Sequence, residues 1–195
     1  MGKVYDVIDD KLRAFIQAQH VFFVATAPSD GAGHVNVSPK GLDSLRVLDD
    51  STVAYLDFNG SGVETIAHIR DNGRIVIMLC AFEGPPRIVR LHGRGEVIEP
   101  EDLRFASLRG AFPESMNTRS IIVVHLERAS DSCGFAVPQY RYEGQRKHLD
   151  EWAEKKGPEK LQAYRQTKNA HSIDGLPGLA RLDEATGKMR AETDE

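Results

Sequence analysis

The chain has 195 residues, of which 41% are hydrophobic and 28% charged, with a formal net charge of −4. That length fits one domain with an appendage and suffices to bury a substantial core. The mild acidity argues against a nucleic-acid partner, which favours a basic surface, and no apolar run approaches the roughly 20 residues of a membrane helix.

The N-terminal stretch lacks a secretory core. The chain's two cysteines, Cys80 and Cys133, show neither metal spacing nor a disulfide framework. A reduced, cytoplasmic protein with no membrane and no metal is expected.

In chain order, residues 5–19 read as a helix, with Val7, Ile8, Leu12, Phe15 and Ile16 on one face. Residues 21–27 (VFFVATA) form a short apolar run rich in β-formers, hence a buried strand. Residues 34–40 (HVNVSPK) alternate, which marks a half-buried strand paired with the first as a hairpin. Pro39 cannot donate to a ladder and places that strand at an edge or an end. Residues 45–48 and 53–58 give two more strands.

At 59–62 the chain turns through Asn59, Gly60, Ser61 and Gly62 and enters a helix carrying Ile66, Ala67 and Ile69. A strand that turns through glycines into a helix presents free backbone N–H groups and the positive end of the helix dipole. Both suit an anion such as phosphate. Ser61 and Thr65 can add hydroxyl donors there, or Ser61 or Asn59 can simply cap the helix.

After the Asn72-Gly73 turn, residues 74–82 read as a central strand and 87–98 as a long one bent or bulged at Gly93 and Gly95. Residues 101–110 read as a helix and 119–126 as a strand. So many strands with short turns argue for a barrel, not a parallel α/β sheet. Beyond 132 the character changes. A loop with two tyrosines leads to helices over 145–156 and 159–169, broken at Gly157-Pro158. A compact loop (172–179) and a polar, frayed end (180–195) follow. The expected division is a barrel domain over 1–131 and a helical and loop extension over 132–195. The extension packs on the barrel or on a partner subunit.

With the strands placed, the pattern resembles the FMN-binding split barrel of the pyridoxamine 5′-phosphate oxidase-like family. The likeness covers about residues 10–130. It rests on the strand ending in Ser-Pro-Lys-Gly (38–41), the strand–turn–helix element at 53–72 with its Asp-Asn-Gly-Arg end, and the two strands around an Arg-containing loop (74–98). The resemblance implies a mainly β, α+β fold: a six-stranded antiparallel split barrel with peripheral helices. It also implies a homodimer with FMN at the subunit interface.

Carried over by position, Val35, Asn36, Val37, Ser38 and Lys40 would run along the flavin ring. Phe58 and Asn59 would meet the cofactor, and Ser61, Gly62 and Thr65 would hold its phosphate. Near Arg87 and Ile88 the partner subunit would reach the ring.

Oxidases of the family carry two basic residues where Glu64 and Thr65 stand here. An acid beside a phosphate of about −2 charge is unfavourable unless it points away or caps the helix. The positive partners must then come from elsewhere, with Lys40, Arg87 or Arg90 as candidates. Arg87 and Arg90, three apart on a strand, face opposite ways.

The substrate-binding set of the true oxidases is not recognisable in the last third. The expectation is therefore a related flavoprotein, an oxidoreductase of unknown substrate with no nameable catalytic side chain. A non-catalytic flavin-binding or sensing module, or a reductase using the deazaflavin F420, stays open as an alternative.

Single residues carry less. His34, His68, His92 and His125 show no ligand spacing. Cys80 reads as an inert core residue and Cys133 as an accessible thiol without an activating base. Trp152 reads as a helix-packing residue or an aromatic lid, and the 172–178 loop as a plain turn or a wall of the flavin site.

Overall fold

The computed structural model describes residues 2–179, so the polar end expected over 180–195 lies outside the described residues. The elements are β1 (Val4–Tyr5), α1 (Asp10–Gln17), β2 (Phe22–Thr26), β3 (Asn36–Lys40), β4 (Leu45–Val47), β5 (Thr52–Phe58), α2 (Glu64–Asn72), β6 (Arg74–Cys80), β7 (Ile88–Ile98), α3 (Phe105–Arg109), β8 (Thr118–Ser132) and α4 (His148–Lys168). Every strand pair is antiparallel. The strand order is β3-β2-β6-β7-β8-β5-β4, with β1 added on β8.

This is the split barrel, with eight strands where six were expected. Of the two short strands, β4 with three residues answers the strand read over 45–48, and β1 with two was not read from the sequence.

Burial follows the period of two. Along β5, Val53 and Tyr55 enter the main core, and Ala54 and Leu56 enter a second cluster on the other face. Both faces are covered, so its sequence is a continuous apolar run and not an alternating one. Leu12 and Ile16 of α1 join the main core, and Ile16 lines the opening between β2 and β4 together with Phe22 and Leu45. Ile66 and Ile69 bring α2 into the same core. Helix α3 covers the second cluster through Phe105 and Leu108.

Three boundaries differ from the sequence reading. The first helix starts at Asp10, because Asp9 caps it by accepting the Leu12 N–H at 2.8 Å. Residues 4–5 instead pair with 129–130. Strand β8 runs on to Ser132 through the polar stretch 127–132, since β7 and β1 both supply ladder partners there. The helix over 101–110 shortens to five residues. The C-terminal helical stretch α4 breaks at Gly157 (φ 72°, ψ 165°), as the Gly-Pro pair predicts.

Gly93 does mark a bulge. The β7–β8 register shifts between His92 and Gly93, and a Cβ at Gly93 would lie 2.1 Å from the His125 carbonyl oxygen.

A candidate anion-binding cleft

A cleft of roughly 460 Å³ opens where the end of β3 meets the turn between β5 and α2. Alternation along β3 points Asn36, Ser38 and Lys40 into it. The β5–α2 turn supplies Phe58, Asn59, Gly60, Ser61 and Gly62, and the first turn of α2 supplies Glu64 and Thr65. Helix α2 begins at Glu64, and the residue before it, Val63, gives no side-chain cap. Among the described residues, none of the backbone N–H groups from Gly60 to Thr65 finds an acceptor. Apart from the buried Val63, these residues line the cleft, so five amides around the helix start can meet a ligand or water.

The positive charge comes from a residue that sequence reasoning missed. In the β5–β8 pairing, Asp57 faces Ser120 and Phe58 faces Thr118, so Arg119 is the extra residue of a bulge. A bulge re-aims a side chain. Here the Arg119 guanidinium lines the cleft while the residue stays 5% exposed.

Its Nε donates to Asp57 Oδ2 at 2.5 Å and its Nη1 to the Gly62 carbonyl at 2.8 Å. Lys40 Nζ donates to the other oxygen, Asp57 Oδ1, at 3.3 Å, and the Ser120 hydroxyl donates to Oδ2. Burial alone would raise the Asp57 pKa, but Arg119 and then Lys40 outweigh it, so the carboxyl sits below its ordinary range. A fully buried carboxylate thus holds two cations at the rim of the open amides.

Glu64, the acid expected to oppose an anion, lines the cleft, with its carboxylate lying against Gly62 and tied to the C-terminal loop. Its Oε1 accepts the Ile173 N–H at 3.3 Å from the C-terminal loop. A Cβ on Gly62 would lie 2.1 Å from its Oε2.

A polar chain runs inward from β3. Ser38 Oγ donates to Asn36 Oδ1, and Asn36 Nδ2 donates to Thr65 Oγ1 at 3.0 Å and to Thr26 Oγ1 at 3.4 Å. Thr26 Oγ1 lies 3.0 Å from Nδ1 of the fully buried His68, and burial lowers the His68 pKa so the ring stays neutral. A hydroxyl that accepts from Asn36 can donate on to His68 Nδ1, which leaves the proton on Nε2, an atom without a partner.

Of the twelve residues proposed from sequence, the cleft gathers Asn36, Ser38, Lys40, Phe58, Asn59, Ser61, Gly62 and Thr65. Val37 on the edge strand points the other way and is 61% exposed, and Val35 just before that strand is 72% exposed. Arg87 and Ile88 lie away from the cleft of their own chain. Arg87 donates to Tyr5 Oη at 2.6 Å and to Asp131 Oδ2 at 3.0 Å, and its guanidinium packs over the Phe15 ring. Arg90 donates to Ser132 Oγ.

Trp152 packs edge-on against Tyr164 at 5.2 Å, across the kink of α4. Cys80 is buried with its thiol pKa raised by that burial, and Cys133 is exposed.

The extension also reaches this turn. Arg165 Nε donates to Asn59 Oδ1 at 2.7 Å, and Asn169 Nδ2 donates to the Gly60 carbonyl at 3.0 Å. Leu149 lines the cleft. The 172–178 loop is tied to the barrel through Asp174, which accepts the His34 N–H at 2.8 Å and pairs with the His34 ring.

These features define an antiparallel split-barrel protein with a cation-flanked cleft at a strand-to-helix turn. Comparison with known proteins assigns the class. The family model for pyridoxamine 5′-phosphate oxidase matches residues 8–133. The pyridoxamine 5′-phosphate oxidase family protein ustO of Aspergillus flavus is 40% identical over 194 residues, spanning 90% of this chain and 77% of the relative. The chain belongs to the pyridoxamine 5′-phosphate oxidase family.

Solved structures agree on the fold. A HupZ variant from Group A Streptococcus superposes with a TM-score of 0.50 at 24% identity, covering 64% of this chain and 99% of its own. A candidate pyridoxamine 5′-phosphate oxidase from Lactobacillus delbrueckii gives 0.50 at 19% identity, covering 65% and 98%. Among the described residues, no helix is long and apolar enough to cross a membrane.

Proposed function

We propose that the protein binds FMN in this cleft and acts as a flavin-dependent oxidoreductase. The observation that carries the reading is the run of open amides from Gly60 to Thr65 beside Arg119 and Lys40. A phosphate monoester offers the acceptors that these amides lack, beside cations already paired with Asp57.

The residues present fit that group. Asn59 is 4% exposed, yet its Nδ2 has no partner. The cations replace the basic residues missing at Glu64 and Thr65, and Glu64 is held by the Ile173 amide. Along β3, Asn36 and Ser38 offer polar groups to a ring edge, oriented by Thr65 and Thr26. When bound, FMN supplies hydride or electron transfer, and the chain's part is to hold and orient it.

A second copy of the chain completes this reading. Val37 on the edge strand β3 and Val35 just before it expose apolar surface, where a homodimer would cover them. The reading is tested on purified protein. It predicts a yellow preparation whose denaturation releases FMN, identified by mass. Protein that is colourless and stays so after incubation with FMN would refute it. An F420 cofactor would show instead as a deazaflavin mass in the same extract.

A further inference from the structure

We infer that Arg165, delivered by the C-terminal helix α4, is a positioning residue of the anion site. It locks the Asn59 carboxamide so that Nδ2 serves the cleft, and it thereby couples docking of α4 to anion binding. The inference rests on the reading above, in which that anion is the phosphate of FMN.

The argument begins with the donors and acceptors. A guanidinium carries donors only. The Asn59 atom 2.7 Å from Arg165 Nε must therefore be Oδ1, which settles an amide orientation otherwise open to a flip. The Asn59 N–H on the backbone is already used, donating to the Asn117 carbonyl at 2.9 Å. What remains is Nδ2: buried, unpartnered, and part of a residue that lines the cleft. A buried donor without an acceptor is costly, and native structures seldom keep one without a reason. Nothing on the protein side supplies that acceptor among the described residues. A phosphate oxygen would.

Arg165 is itself placed for this task. Its Nη2 donates to the Thr118 carbonyl at 3.4 Å, so neither of its acceptors is a carboxylate. Thr118 adjoins the bulged Arg119, which brings two guanidinium groups to one turn. Burial and then Arg119 lower the Arg165 pKa, while Glu101 opposes the shift. The side chain stays charged all the same. An anion at the turn relieves this crowding of positive charge.

One helical turn beyond Arg165, Asn169 Nδ2 donates to the carbonyls of Gly60 and Gly62, at 3.0 and 3.4 Å. Residues four apart on a helix share a face. That face of α4 thus holds the turn by its side chain and by its carbonyls together. Whatever tightens the turn on an anion also tightens α4, and the coupling is reciprocal.

The test is a flavin fluorescence titration of the full chain, stripped of cofactor, with FMN and riboflavin, which differ only in the phosphate. Inorganic phosphate alone is titrated in parallel, read by its protection of α4 from protease. Arg165→Gln should weaken FMN binding by about tenfold to a hundredfold, the scale of one lost charge-assisted partner in a buried site. Riboflavin binding should stay within about twofold of the parent, since the phosphate contacts are absent from that complex. Asn59→Asp places a carboxylate where Nδ2 was and should lower the same FMN-to-riboflavin ratio at least as far. In the parent, FMN and phosphate should slow cleavage within 148–168, and riboflavin should not.

Equal losses of FMN and riboflavin in Arg165→Gln would mark a merely structural role and overturn the inference. Parent-like FMN affinity in that variant, or full recovery by Arg165→Lys, which keeps charge but not the planar donor, would overturn it too. If the parent binds neither flavin, the FMN reading fails. Phosphate protection that depends on Arg165 and Asn59 would then still uphold the site, and its absence would end the inference.

Discussion

Replacing Asp57 by Asn removes the charge around which the cleft's cations are arranged. The residue is fully buried, receives Arg119 Nε at 2.5 Å and Lys40 Nζ at 3.3 Å, and is approached by the Ser120 hydroxyl. Asn keeps the shape but turns one acceptor into a donor, so N–H faces a guanidinium that stays charged and 95% buried. Breaking a buried ion pair on one side costs about 3–5 kcal/mol, because the partner charge is left uncompensated.

For a chain of this size each kcal/mol is worth about 2–4 °C in Tm, so Asp57→Asn should melt about 6–20 °C lower at pH 7. Thermal unfolding followed by circular dichroism measures it. Arg119→Met combined with Asp57→Asn should recover part of the loss, since both ends of the pair then go together. A single variant within about 0.5 kcal/mol of the parent, the scale of an ordinary surface change, would refute the buried triad as the site's scaffold.

The pH dependence has a defined sign. Asp57 is held below its unfolded value, so its contribution is complete above about pH 4 and is lost as pH falls through the folded pKa; an acid titration of Tm should show that loss, and Asp57→Asn should flatten it. His68, buried and neutral, acts in the same direction from about pH 6.5 downward, and His68→Gln should remove that earlier phase. Gly93→Ala puts a Cβ against the His125 carbonyl and should cost more than about 2 kcal/mol by denaturant unfolding. His34→Ala breaks a pair whose histidine side chain is 70% exposed and should change stability by less than about 1 kcal/mol in the same assay.

Much of the fold was legible from periodicity. The alternating 34–40 run, the apolar 53–58 run and the glycine turn after it each fell where the structure has an edge strand, a doubly buried strand and an uncapped helix start. The glycine at 93 announced a bulge because no side chain fits against the neighbouring strand. The β8 bulge was not legible, since it arises from pairing with β5 and leaves no local signature. Arg119 was therefore read as the polar start of an apolar strand.

Asp57 was missed for a related reason, as an acid at the end of a run otherwise buried. Its partners Lys40 and Arg119 lie 17 and 62 residues away. The grip of Arg165 and Asn169 on the 59–62 turn spans more than a hundred residues, which single-sequence spacing cannot see. Arg87 illustrates the converse. Its place after a loop favoured a ligand role beside a partner subunit, and within its own chain it donates to Tyr5 and Asp131, contacts that no local spacing announced.

The most direct measurement is a crystal structure of the protein grown with FMN. The account predicts the phosphate against the amides of residues 60–65, within hydrogen-bonding distance of the Arg119 guanidinium and Asn59 Nδ2. Density for the phosphate at any other place, with that turn left to water, would contradict it.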